Sequence, residues 1–478
     1  MPVKPYIPPI DRKATSVGLM NYIRNIGDAD FQAGVPLAIQ TTECIKAIGN
    51  SIIGYQPRQN HFVPALFGVI GKVIIASKSY TNKLAWARQG ELQLGETIEE
   101  IWNGLSHVQQ YNPERAQYTV FKRHKPEAEV AFHSLNYQKN YPATIERREL
   151  ELAFQSWDNF EQFVSKIIAR VYDTQQYDEF IMYKYIIQTL VLQKKLYVEG
   201  IPVLTEQTAN VITARIRGIS NAMEFMSNKY NMAGVPTTSN KEEQYVIMTA
   251  DYSARLDTES LAHAFNLEYV QFWGKNMMVD SFAPNALEME RLAEIMAEDP
   301  SYIPFTSDEI ALLETIKVVI MDSRWYMIFT KLREMQSIFN PESLGYNYFY
   351  HVWDILSASP FQNCLVFAEG ENKVSAITIN PQSPSVVKGK GGTELFAQVQ
   401  GEGLYSEGVS WTISGNTSKN TYVSRGGLVV AGADEEATNL TVTATSRADN
   451  KISATVSVTV TDAPNARKPA CNTGQVKK

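Results

Sequence analysis

Cysteine is nearly absent: Cys44, Cys364 and Cys471 are the only three in 478 residues, far apart and odd in number. That excludes a disulfide framework and a paired-cysteine zinc knuckle. Histidine is also scarce. The six (His61, His107, His124, His133, His263, His351) include no pair with another His or Cys at metal-ligand spacing. His351, flanked by Tyr350 and Val352, reads as a packed or interface residue rather than a base. A phosphate-cradling Gly loop and a Gly-x-Ser-x-Gly elbow are both missing. No apolar run approaches membrane-spanning length, and the most apolar, Leu66 to Ala76, is broken by Lys72. The first nine residues hold four prolines and no apolar core, so no signal peptide and a reducing cytosol are expected. Excess positive charge is lacking too; the net charge of −7 speaks against a dedicated nucleic-acid binder.

What is present is the balance of a folded protein, 44% hydrophobic and 20% charged, long enough for two or three domains. Aromatics reach 11%, with 24 Tyr, which suits much contact surface because Tyr fills apolar space and keeps one polar tip. The chain changes character after Glu371. Residues 372–478 hold only four of the aromatics (Phe396, Tyr405, Trp411, Tyr422) and none of the histidines. Apolar and hydroxyl residues alternate in Val409-Ser-Trp-Thr-Ile413, Leu440-Thr-Val-Thr-Ala444 and Ala454-Thr-Val-Ser-Val-Thr-Val460. A period of two puts Val, Trp, Ile and Ala on one sheet face and Ser/Thr on the other. Turn formers at Asn380-Pro381, Gly389 to Gly392, Gly426-Gly427 and Ala448-Asp-Asn450 separate the runs, so residues 372–463 are predicted to form a β-sandwich with Trp411 in its core. A flexible tail, 464–478, follows. Glu369-Gly-Glu-Asn372 reads as a linker to an independent module.

Residues 1–371 carry 33 of the 44 basic and 43 of the 51 acidic side chains. A Pro-rich arm over 1–20 is expected to be extended. From Gly71 to Leu150 the sequence is strand-rich without a continuous core pattern, Val73-Ile-Ile75 and Leu92-Gln-Leu94 reading as short strands. Such a segment is either a disordered loop or lies against neighbouring subunits. Trp86 and Trp102 are its candidate anchors, and Arg88 is the candidate partner for a carboxylate of the next copy. The basic run Lys122-Arg123-His-Lys125, followed by Glu127 and Glu129, reads as a strip of salt bridges between subunits. Asp158-Asn-Phe-Glu161 resembles a capping box opening a helix, with Phe160, Phe163, Val164, Ile167, Ile168 and Val171 on one stripe. The run Phe180 to Leu196 is apolar nearly all round. One long helix over 158–199, bent near Thr174-Gln-Gln176, is the expectation. A mixed α/β region follows, with a strand at Tyr245–Met248 and a helix at Asp257–Phe265. Strands at Lys317–Met321, Trp325–Phe329, Tyr346–Trp353 and Cys364–Phe367 complete a sheet. The carboxylate clusters Glu99-Glu100 and Glu146 to Glu149 read as solvated faces rather than a glycosidase pair.

Two resemblances stand beside this reading. Val374-x-x-Ile377-x-Ile379-x-Pro381, Lys388-Gly389, Val409-x-Trp411, Gly426-Gly427-Leu428 and Leu440-Thr-Val-Thr-Ala444 resemble the bacterial Ig-like group 2 domain, an accessory module without catalytic residues. Leu94-Gly-Glu-Thr-Ile-Glu-Glu-Ile101, Phe154-x-Ser-Trp-x-Asn-Phe-Glu161 with Phe163-Val-Ser165, and Asn347-Tyr-Phe-Tyr-His-Val-Trp353 are similar to the major capsid proteins of picovirus-type small podoviruses. That likeness runs from Asn21 to Phe367. It implies an α+β Hong Kong 97-type phage capsid fold followed by the all-β Ig-like sandwich. In that fold, 71–150 would be the E-loop, 158–199 the spine helix, 200–341 the axial domain and 342–371 the return to the peripheral domain. It further implies a non-enzymatic virion shell protein, made in the bacterial cytoplasm, with no cofactor, catalytic residue, metal site or membrane. Its partners would be its own copies in pentamers and hexamers, scaffolding and portal proteins, and enclosed double-stranded DNA. A tail or surface adhesin with an Ig-like module is the alternative.

Overall fold

The computed structural model describes residues 15–70, 82–92, 95, 97–106, 108, 127–261, 275–342 and 344–462. The body contains strands β1 (Arg88–Glu91), β2 (Thr97–Asn103), β3 (Ala128–Ser134), β4 (Tyr137–Ile145), β5 (Tyr197–Ile201) and β6 (Gln244–Thr249). It continues with β7 (Lys275–Val279), β8 (Ile316–Asp322), β9 (Tyr326–Asn340), β10 (Gly345–Ala358) and β11 (Cys364–Glu369). The four expected strands near the end of the body divide between two sheets rather than completing one. Five strands form the order β5-β11-β8-β6-β7, and four form β1-β9-β10-β4. Val318 to Met321 and Leu365 to Phe367 are fully buried because the five-stranded sheet is covered on both faces. One face meets Ile212 and Ile216 of the helix Ala209–Ala222, with Tyr252 and Leu256 of the helix Ala250–Leu261. The other belongs to the main core, which includes Ile187 and Val191 of the helix Thr174–Leu192.

β8 passes to β9 through Ser323–Trp325, the turn expected there; the Asp322 side chain accepts from the Arg324 N–H at 2.9 Å. β9 and β10 then run as a long antiparallel pair, from Tyr326 opposite Ala358 to Asn340 opposite Gly345.

Several boundaries differ from expectation. Residues 15–20 of the anticipated arm lie in a helix, Thr15–Ile26, with Met20 buried; residues 1–14 lie outside the described residues. Three more helices follow, Ala29–Gly34, Thr42–Ile53 and Gln56–Ile70. The long helix begins at Trp157, one residue before Asp158, because Ser156 caps it by accepting from the Asn159 N–H at 3.2 Å. Phe160, Phe163 and Ile167 form its buried stripe, as the spacing predicts. It widens into a π turn at Ala169–Asp173, next to the expected bend, and continues as Thr174–Leu192. It stops short of Glu199. Lys194 adopts φ +58° and Lys195 donates back to Leu190 at 3.0 Å, which turns the chain so that Tyr197–Ile201 can pair with β11. Another helix starts at Ala250, ahead of the predicted Asp257, and residues 262–265 lie outside the described residues.

Nor is 71–150 one extended arm. β4 is an internal partner of β10, with Tyr346 opposite Ile145, and Arg147–Ala153 is helical. The projecting part is the β2–β3 hairpin. The predicted strand at 73–75, and residues 93 and 94 of the predicted strand at 92–94, lie outside the described residues, as does the tail.

The C-terminal unit contains β12 (Lys373–Asn380), β13 (Ser385–Val387), β14 (Thr393–Glu394), β15 (Phe396–Glu402) and β16 (Val409–Ser414). β17 (Tyr422–Val423), β18 (Leu428–Val430), β19 (Asn439–Ser446) and β20 (Ser453–Thr461) complete it. It forms the expected sandwich around its own core, where Leu440, Val442 and Ala444 face Val458, Val456 and Ala454 across the β19–β20 ladder. Trp411 is half-buried at the edge of that core rather than inside it. The join is bonded, not loose. Asn372 donates to the Ala368 carbonyl at 3.0 Å and accepts from the Leu404 N–H at 2.8 Å, and Leu404 is buried in the core of the body.

Candidate assembly interface

The β2–β3 hairpin leaves large apolar side chains uncovered on its outer face. Antiparallel register sets Ile101 opposite Val130 and Glu99 opposite Phe132, all on one face. That face is outward and carries three exposed apolar side chains: Ile101 is 55%, Val130 44% and Phe132 69% exposed. The face turned toward the chain is mixed: Ile98, Trp102 and Ala131 are half-buried there beside Glu100, Glu129 and the buried His133. His133 lies 2.7 Å from the Ser357 hydroxyl and 3.3 Å from the Glu100 carboxylate, and Ser359 donates to Glu100 at 2.7 Å. Farther out, the Trp102 indole donates to the Pro236 carbonyl at 3.2 Å. Alternation thus holds as strand geometry requires, with Ile101, Val130 and Phe132 left uncovered by the chain itself. Phe225, Met226 and Ile303 are further exposed apolar side chains on the body.

A buried ionic network holds the frame from which the hairpin projects. Helix Thr174–Leu192 is enclosed on nearly all sides, so its polar side chains are buried and must be paired. Lys184 donates to Glu288 and Asp280 at 3.0 Å. Glu179 accepts from Arg88 on β1 and from Arg333 on β9, and Arg333 also reaches Asp354 at 2.7 Å. Asp178 takes a fork from Arg291 at 2.7 and 2.9 Å and a hydrogen bond from Tyr141 at 2.8 Å. Burial raises the Asp354 carboxyl above its ordinary value, with Arg333 pulling the other way. Burial lowers the Arg88 guanidinium, but Glu179, Tyr183 and Asp354 together outweigh this and the net shift is upward. The hydrogen bond to Asp178 raises Arg291.

The residues singled out as contacts with a neighbouring copy divide three ways. Trp86 and Arg88 belong to the subunit's own packing, which corrects their assignment to a projecting arm. Trp86 stacks on Tyr245 with ring centroids 3.6 Å apart, and Arg88 is committed to Glu179. Trp102, Glu127 and Glu129 do lie on or beside the hairpin, and they converge on one residue of the C-terminal unit. Arg425 donates to Glu127 at 2.7 Å and to Glu129 at 2.8 Å, with its guanidinium 4.7 Å from the Trp102 ring centre. Lys122, Arg123 and Lys125 lie outside the described residues. Sequence reasoning missed Ile101, Val130 and Phe132; the alternation of Thr97–Asn103 was their signal, and it is ambiguous because either face of a hairpin can be the buried one. It also missed Asp178, Glu179 and Lys184, whose oppositely charged partners are at least 90 residues away in the chain. Among the described residues, no group of three or more His, Cys, Asp or Glu could hold a metal ion, and no helix is long and apolar enough to cross a membrane.

Residues 20–368 match the family model of the Phi29-like phage major capsid protein. The chain is 33% identical over 437 residues to the major capsid protein of Bacillus phage B103, covering 90% of both chains. It is 31% identical over 436 residues to that of Bacillus phage PZA, again covering 90% of each. Among solved structures, it aligns with a chain of the Staphylococcus phage Andhra capsid at a TM-score of 0.47 and 12% identity, over 62% of this chain and 87% of that one. Both the family match and the two relatives span the hairpin and the sheets beneath it, so the chain belongs to the Phi29-like phage major capsid proteins and is a structural subunit of the virion shell.

Proposed function

We propose that the chain closes into pentamers and hexamers of an icosahedral or prolate shell, with a Hong Kong 97-type arrangement of the body, and that the outward face of the β2–β3 hairpin lies across the next copy. One observation carries this reading: the hairpin turns His133, Glu100 and Trp102 to its own chain and exposes Ile101, Val130 and Phe132. A monomer that leaves such a face uncovered exposes apolar area that a partner would bury at roughly 25 cal/mol per Å². The contact is heterologous, hairpin to a different surface, so it closes rings by rotation. In this reading the subunit is structural and not an enzyme. Its sandwich is an Ig-like group 2 module, supported by the alternation that builds β16, β19 and β20. Its partners are copies of itself, with scaffolding and portal proteins completing the particle. The net charge of −7 suits a container that encloses double-stranded DNA without holding it fast.

The test is a variant carrying Ile101→Ser and Phe132→Ser. Both side chains are more than half exposed, so the subunit should fold normally. Sedimentation and negative-stain imaging should then find folded subunits and no shells. Shells in normal yield would overturn the assignment.

A further inference from the structure

The apolar side chains on the hairpin's inner face, Ile98, Trp102 and Ala131, are only half-buried, and an isolated two-stranded hairpin is marginal in water. Its base is tied by His133 and Glu100 to Ser357 and Ser359 of the body. Its outer half is tied elsewhere. Glu127 and Glu129 stand two residues apart, and their like charges would repel each other were Arg425 not set between them. We infer that the C-terminal sandwich acts within its own chain as a latch that holds the assembly hairpin in its projecting position, with Arg425 as the positioning residue. This rests on the reading of the hairpin as the assembly arm.

Three features build the latch. Arg425 sits in the β17–β18 turn, where the Gly427 N–H donates to the Ser424 carbonyl at 3.0 Å and the Leu428 N–H to the Ser424 hydroxyl at 3.0 Å. Gly427 is required in that turn: its φ is +89°, and a side chain would collide with the Leu395 carbonyl and press on the Trp411 ring. The turn is therefore held rigidly over the sandwich core. Next, the sandwich is docked on the body by Arg447, which donates to the carbonyls of Asn231 at 2.9 Å and Met232 at 3.0 Å. Burial lowers that guanidinium to about 10. Finally, the same body loop supplies Pro236, whose carbonyl takes the Trp102 indole N–H. Loop, sandwich and hairpin thus brace one another at a point where residues about 300 apart in sequence meet.

Hydrogen exchange on the dissociated full-length subunit tests this, comparing the natural chain with Arg425→Ala and with a charge swap combining Arg425→Glu, Glu127→Lys and Glu129→Lys. Arg425→Ala should speed exchange in 97–103 and 128–134 about tenfold, the loss of two charge-assisted hydrogen bonds, one to each glutamate. Exchange in 439–461 should stay unchanged, and shell yield should fall. The swap should restore both protection and yield. Unchanged hairpin exchange in Arg425→Ala would overturn the latch. Faster exchange with shells in normal yield would instead overturn the hairpin's assembly role. The Ile101→Ser, Phe132→Ser variant separates the two ideas, because it should keep its protection while failing to assemble.

Discussion

In the body, Lys184 is 2% exposed and lies between Glu288 and Asp280; in the sandwich, Glu435 is equally enclosed, yet hydroxyls and backbone N–H groups surround it. Thr417 donates to it through both its N–H at 2.9 Å and its hydroxyl at 2.6 Å, and the Ala437 N–H donates at 3.0 Å. The difference follows from how each region is specified. A sandwich of adjacent, alternating strands is built by local pattern, and its one buried carboxylate staples two neighbouring loops. Helix Thr174–Leu192 is enclosed on nearly all sides, so burial of its apolar side chains alone does not fix its rotation against the sheet. Charges at 178, 179 and 184 remove that freedom, because each must meet a particular partner on β1, β9 or the helix Ala286–Ile295.

The largest effect expected from this contrast is at Lys184. Lys184→Ala would leave Glu288 buried without its cation and cost about 3–5 kcal/mol in urea unfolding followed through Trp325, which is fully buried. Pairing Lys184→Met with Glu288→Leu should recover most of that loss, since packed apolar groups replace buried ion pairs at little cost. A loss under about 1 kcal/mol for the single change would mean that the pair does not set the helix register.

Truncation after Glu371 comes next. The body should still fold, but it loses the Leu404 contact and the Arg447 bonds to Asn231 and Met232, a cost of roughly 2–4 kcal/mol. A melting temperature equal to that of the full chain would show that the sandwich is merely appended. Trp411→Ala should cost about 2 kcal/mol in the melting of the sandwich, below the 3–5 of a fully enclosed aromatic, because its ring is half-buried. The smallest effect separates the regions by acid. Burial raises Glu435, but the hydrogen bonds from Thr417 and Thr421 outweigh it and hold the carboxyl below its ordinary value of 4.5. Its contribution is therefore present above that value and lost as pH falls below it. Asp354 is raised by burial, so its contribution is lost as pH rises through its folded value, and acid does not cost the body that term. Circular dichroism melts at falling pH should show the sandwich weakening first, with Glu435→Gln flattening that dependence.

Much of the fold is legible in the chain itself. The alternation in Leu440–Ala444 and Ala454–Val460 becomes two paired strands, and the spacing of Phe160, Phe163 and Ile167 becomes a buried helical stripe. Other features were not legible. Leu94 to Ile101 marked the hairpin region but not which of its faces would be buried. The polar segment Glu369 to Asn372 read as a linker because nothing local shows that Asn372 bonds Leu404 or that Leu404 enters the body.

By itself the sequence determined the types of the strongly periodic elements, the break into an aromatic-rich body and a hydroxyl-rich sandwich, and the structural class. These rest on period, composition and turn chemistry, which act over a few residues. Only the tertiary structure decided that Trp86 and Arg88 turn inward to Tyr245 and Glu179. It also decided that Ile101, Val130 and Phe132 turn outward, and that Arg425 closes on Glu127 and Glu129. Each of these depends on which surfaces meet after folding. A side chain's burial is set by partners far away in the chain, and local pattern carries no record of them.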